Sequence, residues 1–220
     1  MDPGISLRVL DDGPAAHSPL PALAGAAHRA REWQRQLAAG DPLAASALRA
    51  EFDAQAPGWP EWVASQPDYL APLYDGLDRG VSFSGAGVVV EFGSGSGPAT
   101  AVLAARVGGV VVALDISMPM LRLNPTPVPR LQADVTRLPF CDGSVDFVVG
   151  VNAVAWWPEV RRVLSPRGAV LWVSTFGPTT PLYTEPAAVA AEFADREALT
   201  AVAGHGSWVA VQPLVGGDRS

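Results

Sequence analysis

Val88-Val89-Val90-Glu91-Phe92-Gly93-Ser94-Gly95-Ser96-Gly97 runs directly into Pro98 and an alanine-rich stretch. Three β-branched residues favour extended backbone, and the glycines after them free the chain to turn sharply. Proline fits the first turn of a helix, where its missing N–H would have had no partner, so Pro98 marks a helix start. The stretch therefore reads as a buried strand, a glycine turn and a helix N-terminus. Such a junction lets a ligand approach bare backbone amides. Its glycines lack the dinucleotide spacing G-x-G-x-x-G, which would need a glycine where Pro98 stands.

Downstream, strand-like and helix-like segments alternate, which implies a doubly wound, mostly parallel sheet with helices on both faces. Strands are expected at 88–92, 110–114, 130–133, 145–151 and 169–175. Helices are expected at 98–107, from Met118 to the prolines at 125, 127 and 129, and at 157–164. Residues 186–203 read as helical, in one piece or two, and 208–214 as a last strand. The segment 177–220 holds one helix and one strand comfortably and a second strand not. A shortened C-terminal part is therefore expected, with Pro178, Pro181 and Pro186 shaping an irregular crossing.

Upstream the pattern is helical. Residues 1–20 read as a loose arm. Leu23, Ala27, Ala30, Trp33 and Leu37 give helical spacing over 21–39, and Asp41-Pro42 starts another helix carrying Leu48 and Phe52. Pro57-Gly58-Trp59-Pro60 breaks the chain, and 67–78 forms a further helix with Tyr69, Leu73 and Tyr74. The chain divides into an N-terminal arm and helical cap, 1–80, and an α/β domain, 81–220. The cap covers a sheet edge, a ligand site, or both.

Hydrophobic residues make up 49% and charged residues 17%, enough apolar chain for a sizeable core. The formal charge of −7 argues against a nucleic-acid partner. Every basic residue is arginine, which removes any lysine nucleophile. A lone cysteine, Cys141, excludes an internal disulfide and a cysteine-rich metal site, and no metal is expected. No run of about 18 apolar residues suggests a membrane span, and the first residues lack a signal-peptide pattern, so the expected compartment is the cytoplasm.

Open parallel sheets bind ligands beyond the carboxyl ends of their strands. Asp115 closes the second strand there, placed to accept hydrogen bonds from both hydroxyls of a ribose; the alternative is a helix cap for the segment after it. Asp134 holds the same place after the third strand, with loop capping as its alternative. Asp146 opens the fourth strand far from that edge and reads as structural.

Glu91-x-Gly93-x-Gly95-x-Gly97 after a strand resembles motif I of the class I S-adenosylmethionine-dependent methyltransferases. Leu114-Asp115-Ile116-Ser117-Met118-Pro119-Met120-Leu121 is similar to the corresponding segment of the ubiquinone/menaquinone-biosynthesis type. So are Ala133-Asp134-Val135 with Leu138-Pro139-Phe140-Cys141-Asp142-Gly143-Ser144-Val145-Asp146, and Val163-Leu164-Ser165-Pro166-Arg167-Gly168, where Arg167 departs from the family's glycine. The matches keep their order over residues 86–176. The resemblance implies a Rossmann-like fold, S-adenosylmethionine as cofactor and S-adenosylhomocysteine as product.

Carried over by position, the resemblance has Glu91 orienting the cofactor's amino group, with Gly93, Ser94, Gly95 and Gly97 beneath its methionine and ribose. Asp115 would hold the ribose hydroxyls, and Ile116 and Met120 the adenine face. Asp134 would accept from the adenine amine, the Val135 amide would donate to its ring, and Asn152 would lie at the methionine end near the acceptor. The implied activity is methyl transfer to a small-molecule acceptor, by alignment more than by acid–base chemistry. His17, His28 and His205 read better as surface or packing residues, so no general base is assigned. Tyr74, Trp156 and Trp157 are the acceptor-pocket candidates. The N-terminal helices, a partner chain (a second copy included) or nothing completes that pocket. A non-catalytic S-adenosylmethionine-binding accessory protein is the first alternative; a nicotinamide-dependent oxidoreductase is the second, and Pro98 counts against it.

Overall fold

A computed structural model describes residues 6–13, 32, 34–36, 39, 44–81 and 87–214. His17, His28, Trp33 and the expected helix start at Asp41-Pro42 lie outside them. In chain order the elements are β1 (Leu7–Val9), α1 (Ala44–Gln55), α2 (Trp59–Ser65), α3 (Ala71–Arg79), β2 (Val88–Phe92), α4 (Pro98–Arg106), β3 (Val110–Asp115) and α5 (Met118–Leu123). Then follow β4 (Arg130–Gln132), β5 (Val145–Val151), α6 (Trp157–Val163), β6 (Leu164–Ser174), α7 (Pro186–Glu192), β7 (Glu197–Ala203) and β8 (Gly206–Gln212).

The strands form one eight-stranded sheet in the order β1-β7-β8-β6-β5-β2-β3-β4. All neighbours are parallel except β8, which runs against both β6 and β7. Strand order reverses between β2 and β5, where the glycine turn emerges, which is where such sheets bind ligands.

Alternate residues of each strand serve opposite faces. On one face Val89 packs with Ala99, Val102 and Leu103 of α4 and with Leu73 and Leu77 of α3. On the other, Val90 and Phe92 join Val160 and Val163 of α6 and Val189 and Ala190 of α7. Cover on both sides explains why the strands read as unbroken apolar runs.

Two expectations are corrected. Leu7–Val9, within the expected loose arm, is a strand parallel to β7, and the chain stays hydrogen-bonded beyond it through Leu10 N–H to Thr200 O at 2.8 Å and Gly13 N–H to Val202 O at 2.7 Å. The C-terminal part is not trimmed. Residues 197–203, alanine-rich and helical by local propensity, form β7 and pair along their whole length with β8. Gly204 turns the hairpin at φ +55°, and Gly206 lies so close to β6 that a Cβ would meet the Ser174 carbonyl oxygen at 2.3 Å. Pairing with distant chain overrides a weak local preference here. One helix and two strands therefore occupy the segment after β6.

Asp75, buried on α3, joins these additions to the sheet. It accepts from Trp208 Nε1 on β8 at 2.7 Å and from Arg79 Nε at 2.8 Å, while Arg79 Nη1 donates to Asp11 O at 2.9 Å. Asp75→Ala would leave the buried Trp208 indole N–H without its acceptor and break the ion pair of the exposed Arg79. The expected loss is about 1–3 kcal/mol in urea unfolding, with a smaller loss for Asp75→Asn, which keeps an acceptor for Trp208.

Candidate active site

The carboxyl ends of β2 to β6 open into a cavity of about 540 Å³. Glu91, Gly93, Ser94 and Gly95 line it from β2, and Asp115, Ile116 and Met120 from β3 and the helix after it. Asp134 and Val135 follow β4, Asn152 and Val154 follow β5, and Phe176 follows β6. Leu48 and Phe52 of α1, with Trp59 and Trp62 of α2, form the facing wall.

The turn after β2 is held in shape by β3. Ser94 N–H donates to Leu114 O at 3.0 Å, and Gly95 N–H to Asp115 Oδ2 at 2.8 Å. Gly95 has φ +54°, and a Cβ there would sit 3.3 Å from Trp59 Nε1, so the loop's close approach to α2 depends on glycine. Ser94 Oγ is buried with no hydrogen-bond partner among the described residues, although it borders the cavity.

Asp115 accepts a second amide, Ser117 N–H, through Oδ1 at 2.8 Å. Burial pushes its carboxyl up to about 6, and the amides of Ser117, Gly95 and Ile116 pull against that rise. Ser117, not Asp115, caps α5, its Oγ accepting from Met120 N–H at 3.2 Å. The same Oγ donates to Asp53 Oδ1 on α1 at 2.6 Å, which ties the α1 wall to the rim of the sheet.

Glu91 is buried beneath the turn. Thr100 Oγ1 donates to its Oε2 at 2.5 Å and accepts from Asn124 Nδ2 at 2.9 Å. Burial pushes the Glu91 carboxyl up to about 8; the Thr100 bond opposes this and the neighbouring Asp115 adds to it. Asp134 spends Oδ1 on its own loop, accepting from Thr136 N–H at 2.9 Å and Thr136 Oγ1 at 2.8 Å, while its side also faces the cavity. Asn152 adopts the left-handed conformation at φ +52°. Its Oδ1 accepts from Thr175 N–H at 2.9 Å, and its Nδ2 donates to Thr175 Oγ1 at 2.7 Å and to the Tyr69 hydroxyl at 3.1 Å.

Of the cofactor candidates, only Gly97 stands off the cavity. Its missing Cβ makes room for Asn124, whose side chain would otherwise be 2.2 Å away. The three acceptor-pocket candidates also lie elsewhere. Tyr74 is exposed under the Arg106 guanidinium, 4.9 Å from its ring centre. Trp157 packs on Trp172 and Phe193 in the core of the opposite face, because α6 begins at that residue and turns it inward. Trp156, just before α6, does not line the cavity. The rings that do are Phe52, Trp59, Trp62, Tyr69 and Phe176. Their signal was the recurrence of aromatics at 52, 59 and 62, in helices α1 and α2 that supply little of the sheet's core, and at 69, in the turn just before α3. Asp146 proves structural, accepting from Gly87 N–H, Val88 N–H and Ser165 Oγ.

A family profile described as a methyltransferase domain matches residues 90–171. Among curated relatives, a Micromonospora griseorubida protein provisionally named as a 23S rRNA (guanine-N(1)-)-methyltransferase is 41% identical over 105 residues, 46% of this chain and 35% of that protein. A malonyl-[acyl-carrier protein] O-methyltransferase of Dechloromonas aromatica is 31% identical over 149 residues, 64% of this chain and 55% of the relative. A demethylmenaquinone methyltransferase of Mycolicibacterium gilvum is 32% identical over 149 residues, 57% and 65% respectively. The matches thus span less than two thirds of each relative. A crystal structure of a SAM-dependent methyltransferase from Aquifex aeolicus superposes with a TM-score of 0.56 at 18% identity, covering 69% of this chain and 95% of that one, a likeness of fold.

Glu91 makes stability depend on pH. Between its ordinary 4.5 and about 8 the folded chain keeps a proton that the unfolded chain has released. That contribution is full below the lower value and is lost as pH rises through about 8. The urea midpoint should therefore fall between about pH 6.5 and about pH 9, and Glu91→Gln, which cannot titrate, should remove at least about half of that fall.

Proposed function

We propose that this chain, which carries a methyltransferase domain over residues 90–171 on the Rossmann-like fold of the S-adenosylmethionine-dependent methyltransferases, transfers a methyl group from S-adenosylmethionine to a small-molecule acceptor. The observation that carries this reading is the buried Asp115 carboxylate, aimed along the cavity by an amide of the glycine turn itself. Oδ2 accepts from Gly95 and Oδ1 from Ser117, with the Ile116 amide beside them, and the carboxylate keeps acceptor capacity that suits a ribose hydroxyl pair. The partnerless Ser94 hydroxyl and the bare backbone at Gly93 and Gly95 fit a polar chain lying on the turn.

In this reading Glu91 holds the amino end of the cofactor, and Gly93, Ser94 and Gly95 carry its methionine and ribose. Ile116 and Met120 pack against the adenine, Asp134 uses its uncommitted oxygen on the exocyclic amine, and the Val135 amide meets the ring. Asn152, immobilised by Thr175 and Tyr69, faces the methionine end. Gly97 serves indirectly, by admitting the Asn124 side chain that supports Thr100 and so Glu91. When bound, the cofactor supplies an electrophilic sulfonium methyl and a leaving group that departs uncharged. What the chain adds is alignment of the acceptor and exclusion of water by α1 and α2. Among the described residues no histidine lines the cavity, so no side-chain base is assigned.

α1 and α2, with Tyr69, act as a cap that builds the acceptor wall from the chain's own residues. The formal charge of −7 weighs against an RNA acceptor. Among the described residues no helix is long and apolar enough to cross a membrane, and a cytoplasmic setting suits the expected cofactor.

Calorimetric titration with S-adenosylmethionine, S-adenosylhomocysteine and NADH tests the reading. The first two should bind, Asp115→Ala should weaken both by roughly a hundredfold through loss of two charge-assisted hydrogen bonds, and wild-type affinity should decline as pH is lowered through about 6, where Asp115 gains its proton. NADH binding in place of both would overturn it.

A further inference from the structure

The cavity is electrically lopsided. Among the described residues its acidic side chains, Glu91, Asp115 and Asp134, all stand at the ends of β2, β3 and β4. The half beyond β5 and β6 is lined by Val154, Phe176, Pro181 and Leu182, with Trp62 and Tyr69 against Phe176, and among the described residues no arginine or histidine reaches it. Trp62, Tyr69 and Phe176 form a closed triangle of edge-to-face rings, with centres 6.1, 5.9 and 6.3 Å apart. Flat apolar walls favour a flat apolar occupant. A carboxylate or phosphate there would be buried without a cationic partner among the described residues, in a cavity that already holds the Asp115 carboxylate, which is heavily unfavourable.

One polar group in this half has unused capacity. Thr175 N–H donates to Asn152 Oδ1, which fixes which end of the amide is oxygen. Asn152 Nδ2 therefore spends one hydrogen on Thr175 Oγ1 and the other on the Tyr69 oxygen. Tyr69 accepts in that bond, and among the described residues nothing accepts its own hydroxyl hydrogen. The ring is buried at the cavity wall, so that hydrogen has the cavity to point into.

We infer that this half of the cavity takes an uncharged, flat, apolar acceptor that presents an oxygen to the Tyr69 hydroxyl, and that Tyr69 is the donor that sets its orientation. The class assignment rests on the methyl-transfer reading above; the binding preference does not. Burial pushes the Tyr69 phenol up to about 12, so it remains a donor throughout the working range and never serves as a base.

The test is affinity for three matched probes, 1-naphthol, 1-methylnaphthalene and 1-naphthoate, measured by calorimetry at neutral pH with and without S-adenosylhomocysteine. Wild-type protein should bind 1-naphthol best and 1-naphthoate at least roughly a hundredfold more weakly. Tyr69→Phe should lose roughly five- to tenfold for 1-naphthol while 1-methylnaphthalene stays within about twofold. A purely structural role for Tyr69 would lower both. Equal binding of naphthoate and naphthol, an unchanged naphthol affinity in Tyr69→Phe, or no binding of naphthol in either state would overturn the inference. Naphthol selectivity that depends on Tyr69, in a protein that does not bind S-adenosylhomocysteine, would uphold it and remove the cofactor reading instead.

Discussion

A carboxylate taken out of water at the end of a strand must find donors, and at Asp115 they come from backbone. Gly95 and Ser117 each give it an amide, one from the turn after β2 and one from the start of α5. The same two bonds therefore position an anion, set the shape of the glycine turn and fix the entry angle of a helix. The rest of the cavity follows from that constraint. Gly95 must bend left-handed to present its N–H, α2 can then lie close over it, and Ser117, anchored by its own amide, can hold α1 through Asp53. An acid buried only for packing would need none of this.

Most of the sheet could be read from the chain because parallel strands covered on both sides leave an unambiguous mark: apolar β-branched runs ended by an acid or a glycine. β2 and β3 are of this kind, and two of the three cavity acids, Glu91 and Asp115, follow from their ends; β5 is a similar run that leads to Asn152, and Asp134 follows the short β4. Residues 197–203 bear no such mark. Glu-Ala-Leu-Thr-Ala-Val-Ala has no preference strong enough to announce a strand, and β7 exists because β8 offers it a full ladder; the only local hint was the turn made by Gly204 between two alternating stretches. β1 is shorter still and owes its form to an edge supplied by chain nearly two hundred positions away.

Side-chain partnerships that cross the sequence were illegible for a different reason. Thr100 and Asn124 carry no motif, yet together they support Glu91, and the gap that admits Asn124 was visible only as one more glycine of the turn. Trp157 shows the opposite error. Its position just past β5 placed it near the site in sequence, but the helix that begins there rolled its ring into the core, whereas Trp59, far upstream, came over the glycine turn and Trp62 onto the cavity wall beside Phe176. Proximity to the carboxyl edge along the chain is a good guide for residues that terminate strands and a poor one for those that open helices.

The pairing of β1 with β7 also dictates the order in which the molecule can be finished. Leu7 meets Ala198, and the anchor of that region, Asp75 on Trp208, again joins early chain to late chain. During synthesis the N-terminal segment and α3 therefore leave the ribosome long before their partners exist. Strands β2 to β6 can assemble while that segment waits, and the residues of β1, made before the rest of the sheet, are among the last to find their place.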